Sequence, residues 1–372
     1  MILMPVVVVF FQSRGLTVGD IFLLRSVNAV GIILMEIPTG YLADVLGRKR
    51  TLLIGTVLGF AGFSLYNFAH GIELFAVAEL CIGMGASFLS GADSAMLFDT
   101  LESANKTQEY TKYEGRILSL GNFAEALGGI VGGFLATLSI NYPSIAQACI
   151  AAIGIPSALL LWEPTPKGVR KHLSVRHIVR IIHNALFVNR RLAWNIVFSS
   201  VIGCATLTTA WFVQPYFGEI GLPLAWYGIV WTGLNLLVGL ISLQTYRIEI
   251  VVGTKPLVWI VAVGIGLSLT LTGILPGYWG LATLTLFYAV RGVATPLLKD
   301  LINRETDSDV RATVLSLRSL IIRSIFAILG PLYGWANDQY SLTVALVFSG
   351  LLFLFFSLTS LFFYFRFAAR MD

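Results

Sequence analysis

The chain has 372 residues, of which 56% are hydrophobic and 12% charged, and its mean hydropathy is +0.81. Soluble domains carry about 25% charged residues, so this composition excludes a pair of soluble domains, intrinsic disorder, a disulfide scaffold and a nucleic-acid-binding domain. The net charge of +5 is better explained by basic loops that orient a membrane protein than by a nucleic-acid partner. The composition therefore indicates a polytopic membrane protein.

Apolar runs follow one another along the chain, separated by short polar or Gly/Pro-containing segments. A transmembrane helix needs about 20 apolar residues. Eleven runs reach this length, near residues 17–43, 50–69, 72–99, 114–138, 142–162, 192–216, 222–246, 256–275, 277–299, 311–335 and 341–365. Residues 1–12 add a shorter apolar stretch, which we interpret as the outer half of a first helix that is either short or begins before Met1. The pattern predicts an all-α bundle of twelve helices with an incomplete first helix.

One long polar stretch, residues 163–191, separates an N-terminal half (1–162) from a C-terminal half (192–372). Apolar and basic residues alternate within it, which predicts a basic amphipathic helix suited to the membrane surface. Three of the four histidines lie in this stretch, and we interpret them as part of a solvated basic face rather than as a metal site. We predict no metal and no cofactor.

The basic residues indicate how the chain is oriented. If the loop at residues 44–50 is cytoplasmic, twenty Lys and Arg residues lie in loops and helix ends on that side, and only Arg14 lies on the other. This asymmetry follows the positive-inside rule. It predicts a multi-pass protein of the cell membrane with both termini in the cytoplasm, and we expect a monomer.

The two halves resemble each other in sequence. The Leu-Ser-Leu triplet at residues 118–120 recurs at 315–317, and Gly133 recurs as Gly330, so both features share an offset of 197 residues. This agreement indicates a duplicated architecture of two six-helix halves. Transporters built from such repeats bind their solute near the middle of the membrane.

The loop after the second helix carries the most specific motif. It reads Gly-Tyr-Leu-Ala-Asp-Val-Leu-Gly-Arg-Lys-Arg over residues 40–50, and its glycines permit close helix approach and a tight turn. This segment resembles the signature loop between helices two and three of the major facilitator superfamily. The number of spans, the basic linker and the repeat extend the resemblance over essentially the whole chain. The resemblance implies two six-helix halves and secondary active transport.

The resemblance also implies a conformational latch, whose residues here are Gly40, Asp44, Gly47, Arg48 and Asp99. In the family, the residue matching Asp44 contacts the start of helix eleven, here near residues 309–311. The residue matching Arg48 pairs with an acid at the end of helix four, here Asp99. These contacts hold the outward-facing state. Taken alone, the loop is also compatible with a polar turn that carries a positive-inside cluster.

Eight ionisable residues lie inside the predicted spans, where such residues are candidates for function: Arg25, Glu36, Glu79, Asp93, Glu125, Arg291, Arg318 and Arg323. Glu125 and Arg291 lie closest to the middle of their helices. We interpret Glu125 and Asp93 as groups that take up protons or contact a cation. Arg291 and Arg323 would bind an anion or restrain a carboxylate, and Glu36 and Arg25 are further substrate or proton candidates. The alternative is that these residues form structural ion pairs between helices.

Helix five carries Gly-Gly-Ile-Val-Gly-Gly at residues 128–133. This stretch partly resembles the glycine-rich segment of drug–proton antiporters in the superfamily, but Gly129 stands where those proteins have proline. Helix eleven has the pair Gly330-Pro331. The partial match favours proton antiport, although small residues also allow helices to pack closely without any role in transport.

We therefore predict a secondary active transporter of a small solute, coupled to protons and working by efflux in the lipid bilayer. Three arginines deep in the second half keep open a proton-coupled importer of an anionic metabolite. A non-transporting membrane sensor of the same fold is the third alternative. An intramembrane enzyme is not indicated, because no nucleophile–base pair or metal set is present. An ATP-driven pump is not indicated because no nucleotide-binding loop is found.

Overall fold

A computed structural model describes residues 1–90, 92–163, 175–307 and 310–368. The regular secondary structure of these residues is helical throughout. The helices are α1 (Val7–Ser13), α2 (Val18–Val45), α3 (Arg48–Phe68), α4 (Ile72–Ser90), α5 (Asp93–Ser103), α6 (Tyr110–Leu138), α7 (Tyr142–Leu160), α8 (Val175–His183), α9 (Arg190–Glu219), α10 (Leu224–Val252), α11 (Thr254–Ile274), α12 (Tyr278–Arg304), α13 (Arg311–Gln339) and α14 (Leu342–Ala368). Short 3₁₀ turns at Met4–Val6 and Thr107–Glu109 precede α1 and α6.

Eleven helical segments among the described residues are long and apolar enough to cross a membrane, and a shorter apolar helix, Met4–Ser13, precedes them. Each predicted span corresponds to one of the eleven, so the predicted all-α membrane fold is confirmed. The segment predicted at residues 72–99 differs in detail. There, α4 ends at Ser90 and α5 begins at Asp93, so the predicted continuous helix is in fact two.

The chain divides into two compact units. Unit 1 contains Met1–Lys171 together with Pro223–Thr232, and unit 2 contains His172–Leu222 and Gly233–Asp372. The predicted boundaries at residues 162 and 192 remain predictions. Residues 164–174, in the predicted linker, lie outside the described part of the chain.

In unit 1, glycines bring α2, α3 and α4 into close contact. A Cβ atom added to Gly83 of α4 would lie 2.4 Å from the carbonyl oxygen of Asn28 of α2. One added to Gly85 would lie 2.9 Å from the carbonyl oxygen of Gly55 of α3. In a membrane, where lipid tails remove the hydrophobic drive for helix association, such backbone-level packing stabilises helix contacts.

The amphipathic helix predicted in the linker is present as α8, and part of its apolar side packs against other helices. Ile181 and Ala185 are buried in a cluster with Ile196 of α9, Ile302 of α12 and Leu317 of α13. The apolar stripe therefore packs on unit 2, because these helices offer a protein surface that buries it. The histidines at 172 and 177 fall among residues whose side chains the structure does not describe.

A buried polar cluster joins four helices of unit 1. Nη1 of Arg25 on α2 lies 2.9 Å from Oε1 of Glu79 on α4, and the side chain of Glu79 is fully buried. The hydroxyl of Tyr66 at the end of α3 donates a hydrogen bond to Oε1 of Glu79, and Nδ2 of Asn28 donates to the Glu79 carbonyl oxygen at 3.0 Å. The Arg25 guanidinium lies 5.3 Å from the centre of the Phe11 ring on α1. The carboxylate is thus neutralised and hydrogen-bonded, as a charge in this environment requires.

Glu79→Gln is expected to destabilise unit 1 by about 3–5 kcal/mol, because it removes one charge of an ion pair that lies inside the protein. Thermal unfolding of the purified protein in detergent measures the loss.

The double variant Arg25→Gln/Glu79→Gln provides the control, since it removes both charges. It should unfold at a higher temperature than Glu79→Gln alone, because residues in contact are energetically coupled. The single variant Arg25→Gln completes the comparison. If the loss of stability in the double variant equalled the sum of the losses in the two single variants, a direct ion pair would be contradicted.

Candidate functional site

The loop between α2 and α3 is a tight turn built around Gly47. Gly47 has φ +93°, a conformation that residues with a Cβ atom rarely adopt, and it lets α3 begin directly at Arg48 after α2 ends at Val45. Nε of Arg48 lies 3.5 Å from Oδ2 of Asp99 on α5, and both side chains are 12% exposed. The two residues that the resemblance pairs are therefore neighbours in unit 1, while their role as a latch remains a prediction.

The other predicted latch residues lie in the last turns of α2. A Cβ atom at Gly40 would meet no atom of the described residues within 4 Å, so no close helix contact is seen at this glycine in the described part of the chain. The backbone of Asp44 belongs to α2, but its side chain and residue 309 lie outside the described structure. The predicted contact of Asp44 with the start of helix eleven stays a prediction.

Glu163 is a site residue that the sequence did not reveal. It follows α7, and its carboxylate oxygens accept hydrogen bonds from the backbone N–H groups of Arg48 and Lys49, each at 2.8 Å. These N–H groups begin α3, where the helix dipole favours a negative charge. The sequence contained one signal, namely an acid just after the C-terminal end of a helix, where a negative charge is disfavoured unless it has a partner elsewhere.

Two carboxylates meet where α5 begins. Asp93 is exposed and stands in the first turn of α5, and its Oδ1 accepts a hydrogen bond from the backbone N–H of Ser94 at 2.6 Å. The Ser94 hydroxyl donates to Oε1 of Glu114 on α6 at 3.1 Å. Ser94 thus connects Asp93 to Glu114, an acid that is not among the predicted site residues.

The glycines of α6 form one contact face, made of Gly129, Gly132 and Gly133. A Cβ atom at Gly133 would lie 2.9 Å from the Cα atom of Gly228, one at Gly132 would overlap the carbonyl oxygen of Ile2, and one at Gly129 would lie 2.6 Å from the hydroxyl of Thr232. Close packing, which the sequence left open for these residues, is therefore their observed use within unit 1. A role in antiport remains a prediction.

Glu125 lies on the same side of α6 as this glycine face. It precedes Gly129 by four residues and Gly132 by seven, about one and two helical turns. Gly129 and Gly132 are buried, whereas Glu125 is exposed and forms no hydrogen bond or ion pair with another described residue. The Glu125 carboxylate therefore lies on the protein-facing side of α6, about one helical turn before the first glycine of the contact face.

Two arginines within spans of unit 2, Arg291 and Arg318, also form no ion pair with an acid in the described part of the chain. The guanidinium of Arg291 lies 5.3 Å from the ring centre of Tyr288. Nε of Arg318 donates to the hydroxyl of Ser199, and Nη2 donates to the Ser199 carbonyl oxygen at 3.4 Å. Arg323 is half-buried on α13.

The intramembrane charges therefore differ in their contacts. Arg25 and Glu79 form the interhelical ion pair that was one interpretation of the sequence. Glu36 is half-buried on α2 and, like Glu125, forms no ion pair with any residue that the structure describes.

Comparison with known proteins agrees with the fold. The model of the Major Facilitator Superfamily matches residues 1–331. The quinolone resistance protein NorA of Staphylococcus aureus (strain MRSA252) is 25% identical over 174 residues, which cover 46% of this chain and 44% of NorA. An uncharacterized MFS-type transporter of Methanocaldococcus jannaschii is 23% identical over 134 residues, which cover 36% of this chain and 34% of that protein. The matched region thus spans less than half the length of these relatives.

Solved transporters share the fold over nearly the whole chain. The crystal structure of the nucleoside transporter NupG superposes with a TM-score of 0.76 at 18% identity, covering 100% of this chain and 94% of that one. The D-xylose-proton symporter superposes with a TM-score of 0.73 at 15% identity, covering 97% and 91%. The family match and this fold identify a membrane transporter rather than an enzyme, and the chain belongs to the Major Facilitator Superfamily.

Proposed function

We propose that the chain moves a small solute by alternating access and exchanges it for protons in the direction of efflux. Glu125 is the observation that carries this proposal. Its carboxylate is exposed on the protein-facing side of α6, and it forms no ion pair or hydrogen bond with any other described residue. An acid in this position can bind and release a proton without breaking a structural contact, as a coupling group must.

Two further features support efflux. The relative NorA is named for quinolone resistance, and α6 carries the glycine-rich stretch that partly resembles drug–proton antiporters. The solute of this chain would accordingly be a drug-like molecule, with lipophilic cations as the first class to test against an acidic site.

Import of an anionic metabolite is the second candidate. Arg291 and Arg318 lie within spans of unit 2, and neither pairs with a carboxylate in the described residues. A guanidinium held by an aromatic ring or by serine oxygens keeps its charge available for an anion. A non-transporting sensor of the same fold is the third candidate, and the measurement that separates it is binding of a ligand without flux.

We also propose that the latch is a network of charges at the turn between α2 and α3. Arg48 approaches Asp99 of α5, and Glu163 binds the first N–H groups of α3. Together these contacts fix the turn on the ends of two other helices. Asp44 would add the contact to helix eleven. We place the chain in the cell membrane as a monomer, with this turn and both termini in the cytoplasm.

Glu125→Gln is expected to abolish pH-driven transport, because an amide cannot carry the proton. The measurement is uptake of ethidium, a lipophilic cation, into proteoliposomes with an imposed pH gradient. Glu125→Asp should retain transport with an altered pH profile. Glu73→Gln, at an exposed carboxylate in the first turn of α4, is the matched control and should transport like the unaltered protein.

Uptake measurements, together with a measurement of ligand binding, distinguish the three candidates. An unchanged pH profile in Glu125→Gln would return this residue to a structural role. Uptake of organic anions in place of ethidium would favour the importer. Binding without flux of either class would favour the sensor.

Arg48→Ala and Asp99→Asn are each expected to lower the transport rate by at least about fivefold, the lower end of typical coupling between conformational states. Folding and membrane insertion should be intact, because the affected contact lies at a helix end. The double variant should be no slower than the slower single variant, since both changes remove one shared contact. Arg50→Ala changes an exposed neighbour and serves as the control. Full transport in both single variants would remove the latch assignment.

A further inference from the structure

Unit 2 contains a cavity of about 750 Å³ that the proposed transport cycle does not use. Its lining comes from the first residues of α9 and α11 and from the last residues of α12 and α14. Three cationic side chains contribute to it, namely Arg191, Lys255 and Arg304. The distribution of basic residues along the chain assigns these helix ends to the cytoplasmic side.

The two arginines keep donor groups beyond those used by their acidic partners. Nε of Arg191 lies 2.8 Å from Oε1 of Glu305. Nη2 of Arg304 bonds both Asp300 and Glu249, the latter at 3.1 Å. A guanidinium has five N–H donors in a planar fork, so both arginines have N–H groups left for an additional anion.

Lys255 is the cation of this cavity that lacks an acidic partner. It is exposed, and it forms no ion pair with any residue in the described ranges. It is also the second residue of α11, so its charge and the N–H groups that begin this helix lie at the same end of the cavity. Both features favour a bound anion.

In the N-terminal half of the chain, a carboxylate occupies the start of the corresponding helix. α3 and α11 each have 21 residues, and each follows a glycine with positive φ: Gly47 at +93° and Gly253 at +86°. At the start of α3, the carboxylate of Glu163, which follows the last helix of its half, accepts the first N–H groups. Neither Gly47 nor Gly253 provides a side-chain cap, but among the described residues no side chain accepts the N–H groups of Thr254 and Lys255 that begin α11. The last helix of that half contributes Tyr364 and Phe365 to the cavity, and the acid in the lining, Glu305 at the end of α12, is bonded to Arg191 and Tyr364.

The rest of the lining has a polar and an apolar part. The polar part is Glu305, which is paired with Arg191, together with Thr254 and Tyr364. The apolar part is Val258, Leu301, Trp259 and Phe365, and Trp259 is 43% exposed. A free inorganic anion would gain nothing from these side chains. A lipid has both parts, a charged head group for the cations and an acyl chain for the aromatic and aliphatic wall.

We propose that this cavity binds an anionic phospholipid, whose phosphate contacts Lys255 and the remaining N–H groups of the Arg191 and Arg304 guanidinium groups. The lipid phosphate stands at the start of α11 where Glu163 stands at the start of α3. The site is independent of the transported solute and of the coupling ion.

The test uses the full chain in detergent with brominated lipids, which quench nearby tryptophans. The protein has eight tryptophans, so the signal of Trp259 is taken as the difference between the unaltered protein and Trp259→Phe. Brominated phosphatidylglycerol should quench this component at about fivefold lower concentration than brominated phosphatidylcholine, as expected for one lysine acting on an anionic head group.

Lys255→Glu should remove this preference. Lys299→Glu reverses the charge of an exposed lysine on the same face of the membrane but outside the cavity, and it should leave the preference unchanged. Equal quenching of the Trp259 component by the two lipids would overturn the proposal, and this comparison needs only the conservative Trp259→Phe variant to fold. A preference retained in Lys255→Glu would also overturn it.

Inorganic phosphate separates the two sources of the anion. A ligand that binds the folded state raises the melting temperature. Phosphatidylglycerol should raise it in the unaltered protein and in Lys299→Glu, but not in Lys255→Glu. If millimolar inorganic phosphate produced the same Lys255-dependent increase, the site would bind free phosphate and the lipid assignment would be wrong.

Discussion

The ion pair between Arg25 and Glu79 is the interaction on which the packing of unit 1 depends. It connects α2 to α4 through the fully buried Glu79 carboxylate, and it extends to α3 through Tyr66 and to α1 through the ring of Phe11. A charge inside a membrane protein must be neutralised and hydrogen-bonded by other residues. These helices are therefore held in one arrangement by a polar requirement as well as by their glycine contacts.

Other intramembrane charges have different contacts from those of Arg25 and Glu79. Glu125 and Asp93 are exposed, and Arg291 and Arg318 have aromatic or serine contacts rather than acids among the described residues. Charges that form an interhelical ion pair can thus be separated by their contacts from charges that form none among the described residues, even though hydropathy places all of them within spans. The acids of this second group lie in unit 1 and the arginines in unit 2.

The sequence predicts the fold well because span length and hydropathy are local properties. It also places Arg48 and Asp99 together, through the resemblance of one loop. The partner of Arg25 could not be predicted, since Arg25 and Glu79 are 54 residues apart and depend on how three helices pack. The bonds from Glu163 to Arg48 and Lys49 were missed for the same reason. The apolar stripe of α8 was correctly recognised, but its periodicity does not distinguish a lipid surface from the helices of unit 2.

The glycine face of α6 has a consequence for how this transporter can change during evolution. A Cβ atom at Gly228 would lie 2.4 Å from the carbonyl oxygen of Gly129, so even alanine would force two backbones apart. A contact between backbones cannot be altered in small steps, whereas the exposed side chains of α6, such as Leu127 and Phe134, can. Selection for a different solute must therefore act through residues other than these glycines.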